Sequence, residues 1–166
     1  MERVAAGDAA AFSVLFARHE APVYRFLLRR TDSAEAAGDL YQETFLRIYR
    51  ARAAYRRGAP FRPWLYGIAL NAARDAVRKQ RRSPLTVVPD ELPGGPAPRP
   101  DAHIDLRGLL TQMPEGLRDA FLLGAVEGLD HNEVAEILAI SPANARARIS
   151  RGRVWLREAL GGDHAL

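Results

Sequence analysis

Apolar residues recur at helical spacing from the start of the chain. A stripe of Phe12, Leu15 and Phe16 follows Asp8, a residue type that caps helix N-termini. Pro22 lies further along the same pattern, where we expect it to kink the helix or to begin its second half. The periodicity therefore predicts that the chain opens with helical structure.

Two further helical patterns follow this opening segment. One runs from about 34 to 54, after polar residues at 31–33 that can cap it. The other runs from about 63 to 82, after a loop marked by glycine and proline at 58–60. No alternation with a period of two, which would indicate strands, occurs along the sequence. The pattern as a whole predicts an all-α fold.

The composition changes after residue 82. The next segment is dense in proline and glycine, which excludes a regular helix, and its acids outnumber its single basic residue, Arg99. We predict an extended, semi-rigid linker over 83–102. It would join two small helical domains, 1–82 and 103–166, which we expect to fold separately with little mutual contact.

A pair of helices joined by a tight turn follows two further helical patterns at 104–112 and 114–127. Asp130 can cap the first helix of the pair, and Glu133 completes a capping box. Ser141 and the proline after it suit the start of the second helix. Too little chain separates the two helices for anything but a turn. The sequence therefore predicts a helix-turn-helix, whose second helix lies in the DNA major groove.

The second helix of this unit has an apolar face and a basic face. Residues at steps of three or four are predicted to pack against the rest of the domain: Ala145, Ile149, Gly152, Leu156 and Leu160. Arginines occupy the remaining surface: Arg146, Arg148, Arg151, Arg153 and Arg157. A solvated basic face is the simpler interpretation of these arginines alone. Their place in a helix-turn-helix favours DNA binding instead.

Composition and charge limit the classes of function. The formal net charge is +4 and the pI about 9.9, which suit a polyanionic partner. The chain has no cysteine, which excludes disulfides and thiolate metal sites. No apolar run approaches the ~20 residues that a bilayer requires, and acids stand where a signal peptide would be basic. We therefore expect a cytoplasmic protein with no membrane insertion.

Asp39, Gln42 and Glu43 lie together on one face of a predicted helix. Paired carboxylates can serve acid–base catalysis, but no nucleophile or metal-ligand set accompanies them, and the histidines are scattered singly. We therefore predict no catalytic residues, no metal and no cofactor. The carboxylates either form a solvated acidic face, in which Glu43 pairs with Arg47, or form a docking face for a partner.

Three segments carry motifs that can be compared with a known family. Residues 39–47 read DLYQETFLR, residues 61–71 read FRPWLYGIALN, and 130–153 holds the helix-turn-helix. The first resembles the DLxQExFLR signature of bacterial RNA polymerase sigma factors of the extracytoplasmic-function group. The second matches that group's F-x-x-W-L-x-x-I-A-x-N pattern, and the third is similar to its fourth conserved region. These matches lie in the family's order, with the linker in the expected place.

The resemblance assigns two surfaces to the first 82 residues. Asp39, Gln42 and Glu43 would bind the clamp helices of the largest subunit of core RNA polymerase. A second set would hold the non-template strand of the promoter's minus-ten element, with one base flipped out: Tyr55, Arg56, Arg57, Arg62, Asn71, Arg74, Arg78 and Lys79. Basic grooves with aromatic and polar pockets are known to bind single strands in this way.

The resemblance also implies that the recognition helix contacts the promoter's minus-thirty-five element. The residues assigned to this contact are Asn144, Arg146, Ala147, Arg148, Ser150, Arg151 and Arg153. Asn144 and Ala145 stand where the family usually has threonine and valine, so the preferred promoter sequence does not follow from the family. An anti-sigma factor is a further partner that the family suggests.

The favoured interpretation is thus an alternative sigma factor that brings core polymerase to promoters and helps to melt them. A stand-alone helix-turn-helix regulator that binds duplex DNA without polymerase is the alternative. That alternative leaves the motifs at 39–47 and 61–71 without a role. A nucleic-acid-processing enzyme would need a catalytic cluster, which the sequence does not supply.

Overall fold

The computed structural model describes residues 1–31, 33–82 and 106–161. Within these ranges the chain forms eight α-helices: α1 (Glu2–Ala5), α2 (Ala9–Leu28), α3 (Ala34–Ala51), α4 (Phe61–Arg82), α5 (Leu106–Gln112), α6 (Glu115–Phe121), α7 (His131–Leu138) and α8 (Pro142–Ala159). A 3₁₀ turn, Arg52–Ala54, follows α3, and a π-helical turn, Leu122–Val126, follows α6. The described ranges hold no strand, which confirms the all-α prediction. The predicted linker, 83–102, lies outside them.

Side-chain caps begin the first long helices where the sequence predicts them. The Asp8 carboxylate and the Ser33 hydroxyl each accept a hydrogen bond from the amide three residues on, at 2.9 and 3.0 Å. Helix α2 continues through Pro22 without interruption, so the predicted second start at this proline is not observed. Phe26 and Leu27, one turn beyond Pro22, are fully buried, and their packing offsets the backbone hydrogen bond that proline removes.

Helices α1 to α4 form an N-terminal bundle. Their facing sides bury a continuous apolar cluster that includes Phe26, Leu27, Ile48, Leu65 and Leu70. Thr44 is also buried. Its hydroxyl donates to the Leu40 carbonyl at 2.7 Å, so this buried polar group has a hydrogen-bond partner. The outer face of α3 carries the charged residues of one candidate surface, and α4 carries those of the other.

Helices α5 to α8 form a C-terminal bundle that contains the predicted helix-turn-helix. The capping box at the start of α7 is present. The Asp130 carboxylate accepts from the Glu133 amide, and the Glu133 carboxylate accepts from the Asp130 amide. Ala139 makes the turn in the left-handed region, at φ 53°. Ser141 then caps α8 at the Asn144 amide, 3.2 Å away. The sequence-based prediction of this unit is confirmed.

Close packing of α8 against α6 depends on a glycine. A Cβ added at Gly152 would lie 2.8 Å from the Cβ of Phe121, so the two helices approach more closely than any side chain would allow. Ala145 and Gly152 are buried as predicted. Leu160 is 39% exposed, so its predicted place in the core is wrong. It lies at the C-cap, where α8 ends.

The two bundles pack against each other. One connected cluster of buried apolar residues spans both, and α7 lies against α4 where Gly67 faces Ile137. The expectation of little mutual contact is therefore wrong. Helical periodicity does not reveal this contact, because it joins residues far apart in the sequence, such as Gly67 with Ile137 and Arg74 with Asp119. The predicted domain boundaries themselves stay a prediction.

Candidate nucleic-acid interface

An open cleft of about 770 Å³ lies between the loop at 54–60 and the first half of α4, and Glu136 and Ile137 of α7 also line it. Four of the eight residues predicted to hold the minus-ten strand line this cleft: Tyr55, Arg56, Arg57 and Asn71. Trp64 also lines it and is half-buried, so it serves the core and offers an aromatic edge to the cleft. A cleft with aromatic, amide and guanidinium groups can accept an unstacked base.

Tyr55 fixes the shape of this loop. Its ring is only 8% exposed and meets the ring of Trp64 edge to face at 5.2 Å between centroids. Its hydroxyl donates to the Ala59 carbonyl across the loop. Arg56 and Arg57, between these two anchoring points, are exposed. The loop is therefore held from inside by Tyr55 and presents its arginines outwards.

The other four predicted minus-ten residues lie outside this cleft. The Arg62 guanidinium donates to the backbone carbonyl of Glu127, and the Arg74 guanidinium donates to the Asp119 carboxylate at 2.9 Å. Both acceptors belong to the C-terminal bundle. Arg78 pairs with Asp75 on its own helix, and Lys79 is exposed further along α4.

The predicted docking residues lie on the exposed side of α3. Asp39 and Gln42 are exposed, and Glu43 accepts a hydrogen bond from Arg47 at 2.7 Å, which confirms the predicted pairing. Arg47 also reaches Asp75 on α4 at 2.6 Å. Hydrogen bonds from Arg47 and then Arg78 hold the pKa of Asp75 below its usual value. Glu43 thus belongs to an ion-pair chain that fixes α3 on α4.

An apolar groove next to Gln42 was not predicted from the sequence. It is lined by Phe12, Phe16, Tyr41, Phe45, Leu46 and Tyr49. Leu46 and Tyr49 are 49% and 47% exposed, and together with the other lining residues they make a contiguous apolar patch, the kind of surface that marks interaction sites. A sequence signal was available, because α3 carries Leu46 and Tyr49 in addition to its buried apolar residues Leu40, Phe45 and Ile48.

The recognition helix α8 presents most of its predicted contacts to solvent. Exposed side chains of the set are Arg146, Ala147, Ser150, Arg151 and Arg153. Arg148 differs, because its Nε donates to the Asn144 side-chain oxygen at 3.1 Å and its guanidinium lies against Gly116 on α6. Asn144, where the family usually has threonine, therefore holds Arg148 back against the bundle.

Two features of the described residues bear on other functions. None of the helices in these ranges is long and apolar enough to cross a membrane. The same ranges contain no group of three or more histidine, cysteine, aspartate or glutamate residues arranged to hold a metal ion.

Comparison with known families gives a consistent result for both bundles. The family model of sigma-70 region 2 matches residues 15–83, and that of sigma-70 region 4 matches residues 103–156. The RNA polymerase sigma factor CarQ of Myxococcus xanthus is 40% identical over 97% of this chain and 95% of its own length. The ECF RNA polymerase sigma factor SigM of Bacillus subtilis (strain 168) is 34% identical over 81% of this chain and 86% of its own length.

Solved structures agree with these matches. CnrH, in complex with the cytosolic domain of CnrY, has a TM-score of 0.74 and 25% identity over 98% of this chain and 96% of that chain. The sigma factor RpoE of Bartonella quintana, in complex with the anti-sigma factor NepR, has a TM-score of 0.77. At 21% identity over 93% of this chain and 99% of that chain, it supports the fold alone. On the motifs, the two region matches and the identities together, this chain belongs to the extracytoplasmic-function group of the sigma-70 family of RNA polymerase sigma factors.

Proposed function

We propose that this chain is an alternative sigma factor that binds core RNA polymerase, directs it to particular promoters and promotes their melting. Residues 1–82 would dock on polymerase and read the minus-ten element, 83–102 would connect the two parts, and 103–166 would read the minus-thirty-five element. One observation carries the proposal: a single chain combines an exposed acidic-polar helix face, a cleft that can take a base and a helix-turn-helix with exposed arginines. A stand-alone regulator needs only the last of these.

Docking is assigned to the exposed side of α3. Asp39 and Gln42 are available to the clamp helices of the largest polymerase subunit, and Glu43 is fixed in direction by its pairing with Arg47. The apolar groove beside Gln42 offers area that can be removed from water on docking. A polar edge beside an apolar patch is the usual composition of an interface between proteins.

Minus-ten recognition is assigned to the cleft of the N-terminal bundle. A base unstacked from the non-template strand would enter between Trp64 and the loop, where Asn71 can hydrogen-bond to its edge. Arg56 and Arg57 would neutralise the phosphates on either side. The arginines and lysine further along α4 would follow the strand or the duplex upstream.

Minus-thirty-five recognition is assigned to α8. Arg146 lies in the first turns after the Ser141 cap, where recognition helices reach base edges. Arg153 lies two turns further on, where such a helix reaches the phosphate backbone. Arg148 would position Asn144 and the start of the helix instead of reading a base, because its guanidinium is committed to the bundle.

Regulation by an anti-sigma factor is part of this proposal. Two similar structures were solved with partners: the sigma factor RpoE with the anti-sigma factor NepR, and CnrH with the cytosolic domain of CnrY. The apolar groove on α2 and α3 is a surface that such a partner could cover. We also propose that the chain acts in the cytoplasm, where RNA polymerase acts. No catalytic step is assigned to the chain itself.

The test is transcription with purified components. The full chain is mixed with core polymerase and a promoter library, and run-off transcripts are sequenced. We expect transcripts from a defined subset of promoters that share two elements, and we expect co-purification with core polymerase. Duplex binding without co-purification and without transcripts would favour the stand-alone regulator.

A further inference from the structure

The first turns of the recognition helix contain a hydrogen bond that limits what Asn144 can offer to DNA. Arg148, one turn further along α8, donates from its Nε to the Asn144 side-chain oxygen at 3.1 Å. A guanidinium group has donors and no acceptor, so the Asn144 atom that faces it must be the oxygen. The chemistry of its partner therefore fixes the orientation of this amide.

Gly116 on α6 provides the space in which the Arg148 guanidinium lies. A Cβ added at this glycine would be 3.2 Å from the Arg148 Nη1 and 3.8 Å from its Cζ. Arg148 is half-buried in this position, whereas the neighbouring Arg146 and Ala147 are exposed. A side chain at position 116 would push the guanidinium away from α6. The glycine thus allows α6 to hold Arg148 where it meets Asn144.

The amide nitrogen of Asn144 is the group that remains for DNA. It has no hydrogen-bond partner within the described residues, and it is not buried. Asn144 follows the Ser141 cap by three residues, and its backbone N–H donates to the Ser141 hydroxyl at 3.2 Å. It therefore belongs to the first turn of α8, the part of a recognition helix that contacts base edges.

An asparagine with a free amide and one with an occupied oxygen suit different bases. A free amide binds adenine with both atoms, since the oxygen accepts from N6 and the nitrogen donates to N7. When the oxygen already accepts from Arg148, the side chain offers its two N–H donors. Guanine presents two adjacent acceptors, N7 and O6, in the major groove, whereas adenine presents a donor beside N7. An amide that can only donate therefore favours guanine.

We propose that Arg148 and Gly116 are positioning residues that make Asn144 a donor-only contact, which selects guanine over adenine at one base pair of the minus-thirty-five element. This inference rests on the proposed function of α8. Arg148 acts through Asn144 and contacts no base itself. The asparagine that replaces the family's usual threonine thus has a base preference of its own, and that preference depends on a glycine in another helix.

The base pair that Asn144 reads is identified first. The full chain, alone and with core polymerase, selects sequences from a duplex library randomised over the minus-thirty-five element, and wild type is compared with Asn144→Ala. We expect wild type to favour guanine over adenine by about tenfold at one base pair, and Asn144→Ala to lose preference at that pair alone. A wild-type preference for adenine there, or no base pair that responds to Asn144→Ala, would overturn the proposal.

Removal of the positioning donor is the central test. Arg148→Met keeps an unbranched side chain and removes the Nε donor, so Asn144 can turn its oxygen towards adenine. We expect the guanine preference at the same base pair to fall from about tenfold to about twofold or less. The matched control, Arg157→Met, removes an exposed arginine from the same helix and should leave the base preference unchanged. An equal loss of affinity for all sequences in Arg148→Met, with the guanine preference kept, would mean that Arg148 binds a phosphate and would refute the proposal.

A variant of Gly116 tests the same contact with every charge kept. Gly116→Val should displace the guanidinium from α6 and reduce the guanine preference as Arg148→Met does. Circular dichroism checks that the variant is folded. An unchanged preference in a folded Gly116→Val would refute the role of Gly116. If the variant does not fold, Arg148→Met decides the proposal alone.

A double variant separates an effect through Asn144 from direct reading by Arg148. Two residues that act through one contact are not additive. Adding Arg148→Met to Asn144→Ala should therefore change no base preference further. A further change, at this base pair or at another, would show that Arg148 reads a base itself and would overturn its positioning role.

Failure of this inference is distinguishable from failure of the proposed function. If wild type selects a defined minus-thirty-five element and supports transcription with core polymerase, but the variants do not behave as expected, only the role of the Arg148–Asn144 contact is wrong. If wild type selects no sequence with or without core polymerase, the DNA contact proposed for α8 is itself wrong.

Discussion

The two bundles present arginines to DNA under different conditions. In the C-terminal bundle, Arg146, Arg151 and Arg153 are exposed on α8, and the Arg146 guanidinium lies 3.2 Å from a ring nitrogen of His131. In the N-terminal bundle, Arg62 and Arg74 are engaged by the backbone of Glu127 and the carboxylate of Asp119. The residue types are the same, but Arg74 is half-buried against the buried Asp119 carboxylate, whereas the arginines of α8 are exposed.

This difference shows that a basic helix face can bind DNA directly only where its arginines are not already paired with acidic groups of the same chain. An arginine paired with a buried carboxylate has already exchanged its hydration for a strong hydrogen bond, so a phosphate must displace that partner. An exposed arginine needs only to release water and counterions. Arg74 must therefore leave its carboxylate partner before it can bind DNA, whereas the exposed arginines of α8 need only release water and counterions.

The largest expected effect comes from a substitution that destabilises only one of the two bundles. Gly152→Val places methyl groups where a Cβ would already be 2.8 Å from Phe121, and should destabilise the C-terminal bundle by about 3 kcal/mol. Minus-thirty-five duplex binding should be lost, while binding of the minus-ten strand should not fall. Thermal unfolding and binding to both ligands measure this.

The control for this variant is Gly38→Val on α3, where a Cβ would meet nothing within 4 Å. Its stability should change by less than about 0.5 kcal/mol. Loss of both binding activities in Gly152→Val would contradict the separation of the two surfaces.

A smaller effect is expected at the docking face, which belongs to neither DNA surface. Gln42→Ala with Glu43→Ala should weaken binding to core polymerase by about 2 kcal/mol, the scale of an interface hot spot. Titration of core polymerase with labelled protein measures the change, and Glu35→Ala on the same helix is the control. Full affinity in the double variant would show that this face does not dock.

The two ends of the recognition helix should differ in a more limited way. Arg146→Ala should relax base preference at one or two positions of the upstream element, by about 1–2 kcal/mol. Arg153→Ala should weaken all sequences alike and reduce the salt slope by about one unit. A panel of single-base duplex variants at several salt concentrations measures both. Sequence-blind losses from both variants would make α8 a general phosphate clamp.

The smallest effect is a pH dependence within the N-terminal bundle. Partial burial, and then the charges of Arg18 and Arg62, lower the pKa of His19 from its usual 6.5. The folded state therefore binds this proton less tightly than the unfolded state, so the free energy of unfolding should fall as the pH drops below 6.5. His19→Gln should remove that part of the dependence. Identical pH profiles for the variant and the wild type would contradict it.

The sequence by itself determined the local elements of this protein. Four helices begin at the capping residues that the pattern assigns to them: Asp8, Ser33, Asp130 and Ser141. A cap depends only on residues within one turn, so the sequence predicts it directly. The same locality explains why the helix-turn-helix and the Glu43–Arg47 pair were predicted correctly. Family motifs added roles to these elements, and the assignment of residues to DNA or polymerase remains a prediction.

Only the tertiary structure decided which arginines are paired with other parts of the chain. Arg74 is paired with Asp119 and Arg62 with the backbone of Glu127, partners that lie 45 and 65 positions away in the sequence. Arg148 is drawn back by Asn144 and by the space that Gly116 leaves on α6. Helical periodicity places a side chain on a face, but the neighbour across that face depends on how the bundles pack. Availability to DNA is therefore a property of the packed chain, which no single element of the sequence contains.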